Sequence, residues 1–175
     1  LEFKSTFSKL KVVTIPDLGK DNFSKKFAIT LGIKAAKNDL LLFTDADCFP
    51  NSEKWISKMA ISNESQTMIS LGAGPYKKQK GLLNSLIRFD AAFIAIQYLS
   101  MAKAKFPYMG VGRNLSYKKT IYNKIQGFKS HYHIPSGDDD LFINQAANKQ
   151  NTKVVFDEQS ITYSIPEKSL SAWVK

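Results

Sequence analysis

Two acid clusters, Asp45-Ala46-Asp47 and Gly137-Asp138-Asp139-Asp140, are the places where this chain groups carboxylates in patterns that chemistry uses. On an extended backbone Asp45 and Asp47 share one side while Ala46 points away. Two carboxylates facing one pocket repel each other, so a hard divalent cation is their natural partner. The plainer alternative is that they cap the next helix. In the second cluster, acids in a helix's first turn complement its dipole. Three in succession exceed what a cap needs, and a carboxylate there can act as a general base. His131 and His133 lie close by in a polar loop, and His-x-His with acids is a weaker metal-site pattern.

Each cluster needs an element to aim it. Leu40-Leu41-Leu42-Phe43-Thr44 is a short apolar run of the kind that forms a buried strand in a parallel sheet. Ligands in open α/β sheets sit beyond the carboxyl ends of such strands, where Asp45 and Asp47 follow. Lys11 to Ile15 reads as a first strand, stopped by Pro16, Asp17 and Gly19. Phe27, Ile29, Leu31, Ile33 and Ala35 mark a helix before the Leu40 strand. Pro50, Asn51 and Ser52 open a helix through Trp55, Ile56 and Met59, with Ser52 as its cap. Met68 to Leu71 is a strand, and Leu82 to Lys105 a long helix. A strand near Gly110 to Tyr117, a short helix before Gly127 and a loop from Lys129 to Gly137 follow. A helix over Leu141 to Asn148 and strands at Val154 to Phe156 and Ile161 to Tyr163 complete the pattern. Alternating strands and helices predict one α/β layered domain over residues 1–175.

The 175 residues are enough for a core, and an apolar share of 43% is that of a globular chain. A net charge of +10 points to anionic partners such as phosphates, nucleic acid or a membrane surface. The single Cys48 rules out an internal disulfide, fits a reducing compartment, and is expected as a small buried residue beside the acids. No stretch approaches the ~20 apolar residues that span a bilayer, so a soluble chain is expected. The long helix is nonetheless apolar on more than one face. One face suits the core. The other, flanked by Lys77, Lys78, Lys80, Arg88, Lys103 and Lys105, suits an anionic membrane surface.

Four segments in order, Lys25 to Ile33, Leu42 to Asp47, Gly110 to Tyr117 and Gly137 to Asp139, resemble the family 2 glycosyltransferases of GT-A fold, the group of cellulose and hyaluronan synthases and many bacterial sugar transferases. The resemblance covers about Ser24 to Lys175. It implies a GT-A-like, Rossmann-like, mostly parallel sheet flanked by helices. It also implies an inverting enzyme that moves a sugar from a nucleotide-sugar, a UDP-sugar first, to an acceptor hydroxyl in one in-line displacement.

By that resemblance Lys25, Asp45 and Asp47 face the nucleotide-sugar, and Asp47 with Asp45 holds Mn2+ or Mg2+ on the diphosphate. The ion would stabilise the charge that develops on the leaving group. Asp139 matches the base that deprotonates the acceptor, Asp138 sits beside it, and Asp140 is a helix acid. Arg113 and Asn114 fall on the acceptor side. The implied partners are a nucleotide-sugar donor, a carbohydrate or lipid-linked acceptor and an anionic membrane, with no nucleic acid. The implied location is the cytoplasmic side of the cell membrane.

Two departures from the family pattern shape the expectation. The strand-helix-strand portion that begins family members has no counterpart before Lys11, and the segment Ser169 to Lys175 only approaches the family's Q-x-x-R-W motif. A partial catalytic domain, inactive by itself, is therefore expected. A haloacid-dehalogenase-like Mg-dependent phosphatase is the alternative, since it too has a strand ending in D-x-D and a later G-D-D. It would need an apolar strand ahead of Gly137, where Ile134-Pro135-Ser136 stands. A basic nucleic-acid-binding module is a weaker alternative, because the lysines are scattered and most aromatics occupy apolar-periodic positions.

Overall fold

The computed structural model describes residues 6–14, 25–60 and 66–174. In chain order the elements are α1 (Lys25–Ala35), β1 (Leu40–Phe43), β2 (Cys48–Pro50), α2 (Trp55–Met59), β3 (Ile69–Leu71), α3 (Leu82–Lys103), β4 (Leu115–Lys118), α4 (Lys119–Lys124), α5 (Asp140–Ala146), β5 (Thr152–Val154), β6 (Thr162–Ser164) and α6 (Leu170–Trp173). The result is a mixed α/β fold with a partly parallel sheet flanked by helices.

Four strands form the main sheet in the order β1-β4-β3-β5. β4 runs against both neighbours, pairing Leu41 and Ile69 on either side of Tyr117, while β3 and β5 pair in parallel. Three strands thus share one direction, and β4 is inserted among them. β2 and β6 form a separate antiparallel pair.

The core lies between this sheet and its helices. Phe43 stacks on Tyr117 at 4.4 Å between ring centres, and Tyr117 meets Phe142 of α5 at the same separation. Aromatic pairs of this kind contribute ~1 kcal/mol beyond their buried area. The 22-residue helix α3 buries Ile87, Ala91, Tyr98, Leu99 and Ala102, and its Tyr98 hydroxyl donates to Gly72 O at 2.7 Å. The helix ends where Lys105 adopts φ +73° and Phe106 N donates back to Met101 O.

Several local expectations are corrected. Lys11 to Thr14 is irregular rather than a strand. Ile15, Pro16, Asp17, Gly19 and Ser24 lie outside the described residues. Pro50, expected to open a helix with Asn51 and Ser52, instead ends β2, where it pairs with Thr162 of β6. Ser52 Oγ accepts from Lys54 N at 3.1 Å, just ahead of α2. Gly112 to Asn114 is a 3-10 turn, so β4 starts only at Leu115.

Candidate functional site

Lys25 stands at the first position of α1 with both acid clusters around it. Its Nζ lies 3.1 Å from Asp45 Oδ1 and 3.1 Å from Asp138 Oδ2. Burial is the largest single influence on this amine and works to lower its pKa. Asp138 and Asp45 together outweigh it, so the net shift is upward and Lys25 is an ammonium throughout the neutral range.

The first cluster is held by a turn rather than by extended strand. Cys48 N donates to Asp45 O at 3.1 Å, folding Asp45 to Cys48 into a β-turn between β1 and β2. The helix-cap alternative does not apply, since the next helix starts at Trp55. Asp47 is exposed, and one ligand atom each from Asp45, Asp47 and Cys48 lies within 4.8 Å of the others. Two carboxylates at that spacing fit a hard divalent ion. The half-buried Cys48 thiol is already engaged, with Sγ 3.0 Å from Ser164 Oγ. Asp45 and Asp47 are therefore the pair suited to hold such an ion.

The second cluster divides its labour. Asp139 is the N-cap of α5: its Oδ1 accepts from Asp140 N at 2.8 Å and its Oδ2 from Gly112 N at 2.6 Å. A Cβ at Gly112 would stand 3.3 Å from Asp139 Oδ2 and 3.7 Å from Lys25 Nζ, so the bare backbone is what permits this approach. Asp140 bonds within its own helix, accepting from Leu141 N. Lys25, Asp45, Asp138, Asp139 and Gly112 surround a cleft of about 80 Å³ floored by Phe43, Leu115 and Tyr117. The chemistry available there is a fixed cation beside an oriented carboxylate.

Arg113 and Asn114 take different places. Arg113 stacks over the Tyr76 ring at 4.6 Å, and its Nη1 is buried without a hydrogen-bond partner among the described residues. Asn114, expected on the acceptor side, is fully buried. Its amide donates to Ala73 O and Ser160 O, and its Oδ1 accepts from Trp55 Nε1 at 3.0 Å. Every polar atom of that side chain serves the scaffold. His131 is buried and its Nδ1 pairs with Ser130 Oγ. Among the described residues the metal-capable group is Asp45, Asp47 and Cys48, without His131 or His133. No strand leads into Gly137; a 3-10 turn at Lys129–His131 and bends precede it, unlike the phosphatase pattern.

Two residues that position the site have weak sequence signals. Lys26, next to Lys25, is fully buried and donates to His131 O, Ile134 O and Ser136 O at 2.8, 2.8 and 2.6 Å. It ties down the loop that carries Asp138 and Asp139. A Lys-Lys pair at a helix start ordinarily reads as two solvated charges. Gly112 is the other, and its only signal is the Gly110-x-Gly112 spacing.

No protein-family model and no curated protein matches the chain. A solved structure does. The chain is similar to a mannosyltransferase from Pyrobaculum calidifontis, solved in complex with GDP-Man and Mn2+. Identity is 13% and the TM-score 0.63, over 98% of this chain and 45% of the mannosyltransferase. The likeness shows a shared fold, and the chain spans about half the length of that protein.

Proposed function

We propose that this chain is part of an inverting, metal-dependent family 2 glycosyltransferase that moves a sugar from a nucleotide-sugar to an acceptor hydroxyl. The observation that carries the reading is the Lys25 bridge, which joins an acid at the end of β1 to the acids at the start of α5 in one cleft. The solved mannosyltransferase holding GDP-Man and Mn2+ supports it on the same fold. In this reading Asp45 and Asp47 hold Mn2+ or Mg2+, which supplies charge stabilisation for the departing diphosphate. Lys25 adds a fixed positive charge facing the same anion. Asp139, oriented by the Gly112 and Asp140 amides, takes the acceptor proton, and Asp138 holds Lys25 in register. Arg113 lies on the acceptor side, facing a carbohydrate or lipid-linked acceptor.

The deciding experiment is calorimetric titration of UDP and of GDP into the purified protein, with and without Mn2+. Metal-dependent binding of one nucleotide is expected, lost in Asp47→Asn. In Asp139→Asn, nucleotide binding should persist, because that carboxylate meets the acceptor and not the donor. The family resemblance favours UDP and the mannosyltransferase favours GDP, so the two titrations choose the base. A folded protein that binds neither nucleotide would overturn the reading and turn attention to phosphate-ester hydrolysis.

A further inference from the structure

Helix α3 is apolar on two opposite faces. One face carries the residues buried against the sheet. On the other, Leu82, Leu86, Phe89, Phe93 and Ile96 recur at i, i+4, i+7, i+11 and i+14, an unbroken stripe open to solvent. Leu82 is 77% exposed, Phe89 69% and Ile96 64%. Beside the stripe runs a groove of about 490 Å³, walled by Ala91, Ala95, Ile96 and Leu99 of α3 and by Phe156 and Ile161. At the end of α3 this groove adjoins a second cleft of about 230 Å³, with Lys103 and Val154 lining both. Lys103, Lys105 and Lys149 line that cleft beside Ala102, Gln150 and Thr152. Lys78 and Lys80 precede the helix at its other end, and Asp90 is its sole acid.

An apolar stripe and groove ending in a lysine-lined cleft have the chemistry of an anionic phospholipid: acyl chain along one part, phosphate at the other. We propose that α3 lies on an anionic bilayer, with the stripe at the headgroup boundary, lipid phosphate in the lysine cleft and an acyl chain in the groove. By length and composition the helix could cross a membrane, but its opposite face is locked into the sheet through Tyr98 and its neighbours, so it lies along the surface. A second copy of the chain fits less well. Pairing the stripes in either orientation would bring the lysines at the helix ends against lysines. The inference is independent of the transferase reading, since it rests on a surface that shares no residue with the acid cleft.

The test is flotation of the purified protein with vesicles of phosphatidylcholine alone and of phosphatidylcholine with phosphatidylglycerol. Expected is partitioning onto the anionic vesicles only, weakening as salt rises. Phe89→Ser/Phe93→Ser should abolish it without lowering the melting temperature, since both side chains are exposed. Lys103→Gln and Lys149→Gln should each weaken it about fivefold, the factor equivalent to ~1 kcal/mol per basic residue at an anionic surface. Equal flotation of parent and variants, or equal binding to both vesicle types, would overturn the proposal. So would a doubled solution mass that Phe89→Ser/Phe93→Ser abolishes, which would make a second copy the occupant.

Discussion

Lys25 and Lys26 are neighbours with opposite fates, because successive helix residues turn by roughly 100°. Lys25 faces the acid cleft. Lys26 points inward, where burial lowers its amine's pKa while Asp138 and Asp140 resist that shift. A buried ammonium survives there because three carbonyls meet its three N–H donors. Lys26→Met would remove the donors and leave His131 O, Ile134 O and Ser136 O enclosed. The expected loss is about 3 kcal/mol in urea unfolding, the cost of orphaned buried acceptors. A loss near zero would mean that the loop is held elsewhere. His131 in that loop is lowered below the usual histidine value of 6.5, first by burial and then by Lys26 and His133, with Asp140 opposing. The unfolded chain therefore takes up the proton before the native one does. Stability from the neutral ring is complete above about pH 6.5 and is lost as pH falls below it. Melting temperature should fall between about pH 7 and pH 5 more steeply in the parent than in His131→Phe; parallel curves would exclude this origin.

Among the elements, α3 ties itself to an inner strand of the sheet. Its Tyr98 hydroxyl reaches Gly72 O just beyond β3, where Gly72 and Gly74 lie against Asn114 and Arg113. Burial pushes the Tyr98 hydroxyl well above its ordinary pKa, with Asp139 reinforcing and Arg113 opposing, so the group is a neutral donor at every working pH. Tyr98→Phe keeps the ring and removes one buried hydrogen bond. It should cost about 1 kcal/mol by denaturant unfolding with an unchanged slope. No cost would mean that the α3–β3 contact rests on apolar packing alone. Insertion of antiparallel β4 has a comparable effect. It brings the Gly112–Asn114 turn to the ends of β1 and β3, close enough for Gly112 N to bind Asp139.

Across the molecule, Asn114 is the joint. Its side chain links Trp55 of α2, Ala73 after β3 and Ser160 before β6, so three segments distant in sequence share one buried amide. Asn114→Ala would orphan Trp55 Nε1 and two carbonyls together. An expected loss of about 3 kcal/mol follows, with a red shift of tryptophan emission as Trp55 gains water. An unshifted spectrum with wild-type stability would mean that the joint lies elsewhere. The same scale explains the charge distribution. Acids concentrate in and beside the cleft, at Asp45, Asp138 and Asp139 with Asp47 next to Asp45, while lysines line the cleft at the end of α3, so the two surfaces suit different partners.

Hydrophobic pattern and turn residues are local properties, and they alone determined much of the outline. The Leu40 strand, the helices after Lys25 and from Leu82, and the two acid clusters follow from runs of a few residues, whatever surrounds them. The pattern failed where a partner decides. Lys11 to Thr14 has strand composition but pairs with no strand among the described residues, and Cys48 to Pro50 pairs with β6 just ahead of the turn residues Asn51 and Ser52. Asp45, Asp138 and Lys25 were each visible, yet the bridge by which the lysine joins the two acids was not. Nor was the burial of Asn114 and Lys26, since polar residues give no sequence sign of the buried partners that will satisfy them. Residue type and local spacing set which groups are present; only tertiary contact, which sets distance, burial and dielectric, decided which of them meet and which are spent holding the fold.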